Sequence, residues 1–154
     1  MSDQDVQWQA AERLALALTE GGMQRMPART LAVFLFTDAE TVTMGDIADR
    51  LGVSAGSVSG AVKTLLSVGL IERLPAPGSR REHYRVRDDA WPTLFTKQNT
   101  VLRVLLEAAE TGIATTAPGD PAHERLGRMR DFYQFLLSEL PALLRRWQQE
   151  RPRP

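Results

Sequence analysis

Three serines, Ser54, Ser57 and Ser59, sit within one short stretch alongside Ala55, Gly56 and Gly60, and Lys63 follows at its end. Serine hydroxyls can bond phosphate oxygens or base edges, and small neighbours let a backbone approach a groove closely. If the stretch is a helix, the open N–H groups after Ser54 suit a phosphate as well. Gly56 and Gly60 would each cost that helix about 1 kcal/mol relative to alanine. Two such costs are easier to accept where close approach is needed, although a plain surface helix could also tolerate small residues. Further on, Arg80 and Arg81 lie among turn residues, with His83 and Arg85 just after them. Paired arginines at a hairpin tip can reach phosphates or enter a narrow minor groove. Thr43 opens the segment ahead of this region and completes the set of candidate contacts.

Catalysis finds little support. The two histidines, His83 and His123, are far apart, and cysteine is absent. Thiol nucleophiles, Cys-ligated zinc and disulfides are thereby excluded. No zincin motif, nucleophile elbow or phosphate-binding glycine loop occurs. Gly56-Ser57-Val58-Ser59-Gly60 has the look of a glycine-flanked serine, but it falls inside a helical pattern rather than at a strand-to-helix turn. The expectation is a protein that is not an enzyme and uses no metal or cofactor.

Overall charge balances, with 19 basic and 19 acidic residues, yet its distribution does not. Residues 1–62 carry four basic and eight acidic groups. Residues 63–87 carry six basic groups, Lys63, Arg73, Arg80, Arg81, Arg85 and Arg87, against Glu72 and Glu82. One positive segment in an otherwise acidic or neutral chain points to a local anion-binding face, or to a solvated charged surface.

The elements that must position these residues follow from periodicity and punctuation. Trp8, Ala11, Ala15 and Leu18 share one face of a helix over 5–20, ended by Gly21-Gly22. Leu31 to Phe36 reads as a buried helix, and Thr41-Val42 as a very short extended piece. Met44, Ile47, Ala48 and Leu51 follow a helical spacing, with Thr43 and Asp46 forming a weaker relative of the capping box. Gly52-Val53 then leaves only a tight turn before Ser54, a good N-cap for the next helix. Residues 70–74 and 82–87 alternate as strands around a turn-rich basic tip. A longer helix spans 90–112, a loop 113–121, and a final helix runs from Ala122 with a kink or split expected at Pro141. The fold class is therefore mainly α (α+β): a winged helix-turn-helix with flanking dimerisation helices. Its parts are residues 1–27 (dimerisation helix and connector), 28–88 (DNA-binding lobe), 89–150 (helical dimerisation region) and a frayed tail, 151–154.

The apolar stripe of the last helix is wide, and there is no further sheet for it to cover. Trp8, Leu126, Met129, Tyr133, Leu137 and Leu144 are the candidate dimerisation residues, for burial against a second copy of the chain. No run is long and apolar enough for a transmembrane span, and the acidic start does not read as a signal peptide. A cytoplasmic protein without membrane partners is expected.

Residues 29–90 resemble the winged helix-turn-helix of MarR-type transcriptional regulators. The resemblance rests on Ala48-Asp49-Arg50-Leu51-Gly52-Val53-Ser54, on Gly56-Ser57-Val58-Ser59, and on Leu65-Leu66-Ser67-Val68-Gly69-Leu70-Ile71-Glu72-Arg73. Gly22-Met23-Gln24-Arg25-Met26-Pro27-Ala28-Arg29 and Pro77-Gly78-Ser79-Arg80-Arg81 are closer to the GbsR-like branch. The resemblance implies a homodimer held by its N- and C-terminal helices on an inverted-repeat double-stranded DNA operator. It also implies a small-molecule effector pocket between the dimerisation helices and the DNA-binding lobe. Ser79 stands where many such wings have an aspartate that orients the arginine. The residues leave open two other readings: a winged-helix protein-interaction module, and a ligand-binding dimer without DNA binding.

Overall fold

A computed structural model describes residues 1–151; the expected tail therefore lies, from residue 152 on, outside the described residues. The chain forms two compact units, residues 1–94 and the residues from 95 on.

In the first unit, α1 (Asp3–Glu20) starts at Ser2, whose hydroxyl accepts the Asp5 N–H while the Asp5 carboxylate accepts from Ser2. This reciprocal cap begins the helix two residues before the sequence pattern does. α1 lies against α2 (Arg25–Leu35) through a seam of Ala11, Ala15, Ala28 and Ala32, all buried. Small side chains there allow the two backbones to come close. α2 is buried almost all round, as its apolar run requires.

α3 (Met44–Leu51) and α4 (Ala55–Ser67) make the helix-turn-helix. Gly52, at φ 64° and ψ 37°, takes the left-handed conformation that closes α3 at little steric cost. Gly69, at φ 78°, closes α4, and the Leu70 N–H reaches back to the Leu65 carbonyl at 3.0 Å in a Schellman-type end. The chain then enters β1 (Ile71–Leu74), which pairs antiparallel with β2 (His83–Val86) from Ile71↔Val86 to Leu74↔His83. Val42 adds a single bridge on the other edge of β2, exchanging hydrogen bonds of 2.8 and 2.9 Å with Tyr84. One core, built on Leu31, Ile47, Val58, Val62, Leu65, Leu70, Ile71 and Tyr84, lies beneath all of these elements.

α5 (Ala90–Ala114) runs from the first unit into the second, and α6 (Pro121–Glu150) completes it. The loop between them is shorter than its Gly, Pro and Thr content suggests. α5 continues two residues past Gly112, and Pro121 is already the first residue of α6, where its missing N–H is not needed. At this end of the unit the helices touch: a Cβ on Gly112 would stand 2.8 Å from Leu126 Cδ1. His123 Nδ1 meets the Thr116 hydroxyl at 3.0 Å and fastens the loop. Of the kink or split expected at Pro141, the split does not occur; the helix runs through it to Glu150. Proline removes one N–H donor there, and Leu140 just before it is buried. Among the described residues no helix is long and apolar enough to cross a membrane.

Leu65 is fully buried at the centre of the first unit's core. Leu65→Ala should lower the unfolding free energy by about 2–5 kcal/mol, read as a lower urea midpoint with an unchanged slope.

Candidate nucleic-acid interface

α4 divides cleanly into two faces. Val58, Ala61, Val62 and Leu65 are buried, whereas Ser54, Ala55, Gly56, Ser57, Ser59, Gly60 and Lys63 are all exposed. The Ser54 hydroxyl accepts the Ser57 N–H at 3.3 Å and lies 3.1 Å from the Ser57 hydroxyl, so both are ordered at the helix start. A Cβ on Gly56 would meet only the Ser54 hydroxyl, at 4.0 Å, and one on Gly60 would enter open space among the described residues. Packing within the chain therefore does not explain either glycine.

The wing turns through Ala76-Pro77-Gly78-Ser79. The Ser79 N–H donates to the Ala76 carbonyl at 3.0 Å, and Gly78 has φ 82°. Proline followed by a positive-φ glycine is the chemistry of a type II turn. Ser79, in place of the carboxylate noted above, still organises the tip: its hydroxyl accepts the Arg81 N–H at 3.2 Å and lies 3.1 Å from His83 Nε2.

Ion pairs thin out the basic segment. Arg85 is the cross-strand partner of Glu72 and donates to it at 2.8 Å. Arg73 lies 3.5 Å from Glu82, and Arg87 bonds Asp89 at 2.8 Å. The Glu72 bond holds the Arg85 guanidinium above its ordinary value, and the Asp89 bond does the same for Arg87. Among the described residues, Lys63, Arg80 and Arg81 of the six have no carboxylate within ion-pair distance.

Three of the candidate contacts are thus spoken for inside the chain. Arg85 is committed to Glu72, and both ring nitrogens of His83 meet hydroxyls. Thr43 is only 7% exposed, and its hydroxyl accepts the Asp46 N–H in a complete capping box, stronger than the sequence suggests. What the sequence reading missed is the support behind the wing. The Arg81 guanidinium reaches α3, where its Nη1 would stand 3.5 Å from a Cβ on Gly45. A cavity of about 490 Å³ opens there, lined by Thr43, Gly45, Asp49, Arg81 and Glu82 among others. Gly45 in a first helical turn was the available signal.

The candidate dimerisation residues lie elsewhere. Trp8 is half-buried against the first unit's core, with the Arg50 guanidinium 5.5 Å from its ring centroid. Leu126, Met129, Tyr133, Leu137 and Leu144 are half-buried within the second unit. That unit's exposed apolar residues on α6 are Phe132, Phe135, Leu143 and Trp147.

A two-stranded wing following a helix-turn-helix defines a winged-helix protein. Residues 22–82 match a model described as the MarR family, and residues 89–150 match one described as an MmpR5-like MarR family transcriptional regulator. The chain belongs to the MarR family of transcriptional regulators. It is similar to the HTH-type transcriptional regulator MmpR5 of Mycobacterium tuberculosis, with 27% identity over 128 residues, covering 82% of this chain and 78% of that protein. A crystal structure described as a transcriptional regulator matches 94% of this chain and 99% of its own, at 25% identity and a TM-score of 0.72.

The Thr43 backbone N–H, then its hydroxyl, hold the Asp46 carboxyl below its ordinary value, with the Arg81 and His83 charges adding to the effect. A carboxyl lowered on folding stabilises the fold above its unfolded pKa, and that stability is lost as pH falls through the folded value. Thr43→Ala should cost about 1 kcal/mol through the lost cap. It should also move the Asp46 titration, followed by carboxyl NMR, back up towards the ordinary value.

Proposed function

We propose that this chain is a homodimeric regulator that binds double-stranded DNA, reading an inverted-repeat operator with α4 and bracing it with the wing. The observation that carries the reading is the outer face of α4. Among the described residues its serines and two glycines are exposed without an internal packing role, and Lys63, Arg80 and Arg81 have no carboxylate within ion-pair distance. Small residues allow close approach to a major groove, and uncommitted cations neutralise phosphates. The kinship to proteins described as transcriptional regulators points the same way.

Direct contacts fall to Ser57, Ser59, Lys63, Arg80 and Arg81, with Ser54, Ala55, Gly56 and Gly60 lining the approach. Thr43, His83 and Arg85 support them from behind. Residues 28–88 form the reading lobe, and residues 1–27 and 89–150 the dimer contacts. The apolar surface of Phe132, Phe135, Leu143 and Trp147 joins the residues named from sequence as the surface a second copy covers. A small-molecule effector that releases the operator belongs to this reading, as does a cytoplasmic location. The GbsR-like placement is supported by the 22–29 and 77–81 segments; the matched C-terminal model is MmpR5-like.

A titration of three variants against an operator duplex and a scrambled one, at several salt concentrations, tests this. Arg81→Ala should weaken both duplexes alike and flatten the salt dependence by about one unit of slope per subunit. Ser57→Leu and Ser59→Leu should cost the operator roughly 1–3 kcal/mol more than the scrambled duplex. A chain that binds neither duplex at low salt would instead be a protein-interaction module or a ligand-binding dimer. Sedimentation equilibrium should give about twice the 17.1 kDa of one chain; a monomer at micromolar concentration would overturn the dimer.

A further inference from the structure

His83 sits at the joint between the wing and the helix-turn-helix. Its Nδ1 lies 2.9 Å from the Thr41 hydroxyl, one residue before the Val42 bridge. Its Nε2 lies 3.1 Å from the Ser79 hydroxyl, the group that accepts the Arg81 N–H. The ring therefore links the strand-edge segment, the tip of the wing and the backbone of Arg81 in one chain of bonds. A half-buried imidazole between two hydroxyls is unusual in its tolerance. Hydroxyls donate or accept, so neutral and protonated rings both find partners. In the neutral ring with Nδ1–H donating to Thr41, the Ser79 proton points at Nε2. Once Nε2 is protonated it donates to Ser79 instead, and the Ser79 proton turns to the Arg81 carbonyl, 3.4 Å away. Protonation thus changes the charge of the joint without breaking it.

Resting on the DNA-binding reading above, we propose that His83 is the positioning residue of the wing rather than a DNA contact, and that it couples duplex binding to uptake of a proton. The groups around the ring are mixed in sign. Asp46 comes from the start of α3 and feels the ring's charge, and Glu40 adjoins Thr41. Arg81, Glu82, Arg85 and the buried Tyr84 hydroxyl lie along the hairpin, with Glu82 and Arg85 already held by Arg73 and Glu72. Bringing phosphates to the wing adds negative charge on its outer side, which favours the imidazolium. Binding and protonation then reinforce each other, so affinity rises as pH falls, by at most about tenfold per pH unit for each subunit.

The test uses the full chain and a fluorescein-labelled duplex of mixed sequence at low salt, with anisotropy titrations from pH 8 to pH 6. Wild type should gain roughly tenfold more affinity over this range than His83→Gln, while His123→Gln, altered in the α5–α6 loop, keeps the wild-type profile. In the free protein, the Arg81 amide should exchange several-fold faster in His83→Gln and in Thr41→Val, which removes only the Nδ1 partner. A His83→Gln profile parallel to wild type, or an Arg81 amide indifferent to both variants, would overturn the inference and leave DNA binding standing. Wild type failing to bind the duplex at any of these pH values would overturn the DNA reading and the proton coupling together.

Discussion

Three consecutive residues hold the site together, each by a different bond. Val42 trades two backbone hydrogen bonds with Tyr84 and so fixes β2 to the body of the lobe. Thr41 ties the ring of His83, and Thr43 caps α3. Tyr84 is fully buried and its hydroxyl donates to Glu82 at 2.6 Å, with burial pushing that hydroxyl above its ordinary pKa. The strand is thus anchored on one side by core packing and on the other by an edge of a single residue. Loss of this short segment's geometry would release the wing and the start of α3 in one step, because the links share a continuous backbone.

Charge within the hairpin is arranged by strand register rather than by composition. The register brings Glu72 opposite Arg85, and a cross-strand pair of opposite sign is favourable. Such exposed pairs contribute little to stability. Their larger effect is selective: they neutralise the strands and leave positive charge at the tip and on α4. A net charge summed over the segment blurs that distinction, since a paired guanidinium and a free one count the same.

Local signals in the sequence were enough to read the helix-turn-helix and the hairpin. Gly52, Ser54, Gly69 and Pro77-Gly78 each act within a few residues, so their conformational demands are visible without the fold. What depends on tertiary contact was less legible. The burial of Thr43, the capture of Arg85 by Glu72 and the reach of Arg81 to Gly45 all follow from register and from how the hairpin meets α3. On α6, periodicity puts Phe132 and Phe135 off the main apolar stripe, and both are exposed, while Leu126 of the stripe lies against Gly112. At Pro141 the local signal left a kink and a split both open, and only the unbroken helix rules out the split.

The alanine seam between α1 and α2 has a one-sided tolerance to mutation. Ala11, Ala15, Ala28 and Ala32 are almost wholly inaccessible, and a methyl group is the smallest side chain that a helix former can carry. Substitutions there can scarcely remove volume; nearly all must add it, and overpacking a buried contact costs about 1–3 kcal/mol. Leucine-lined parts of the core can trade one large residue for another at similar volume, whereas the seam has no equivalent neighbours in sequence space. Drift along α1 is therefore channelled outward, to the positions flanking the seam, and the spacing of the two helices is the dimension of this unit least free to change.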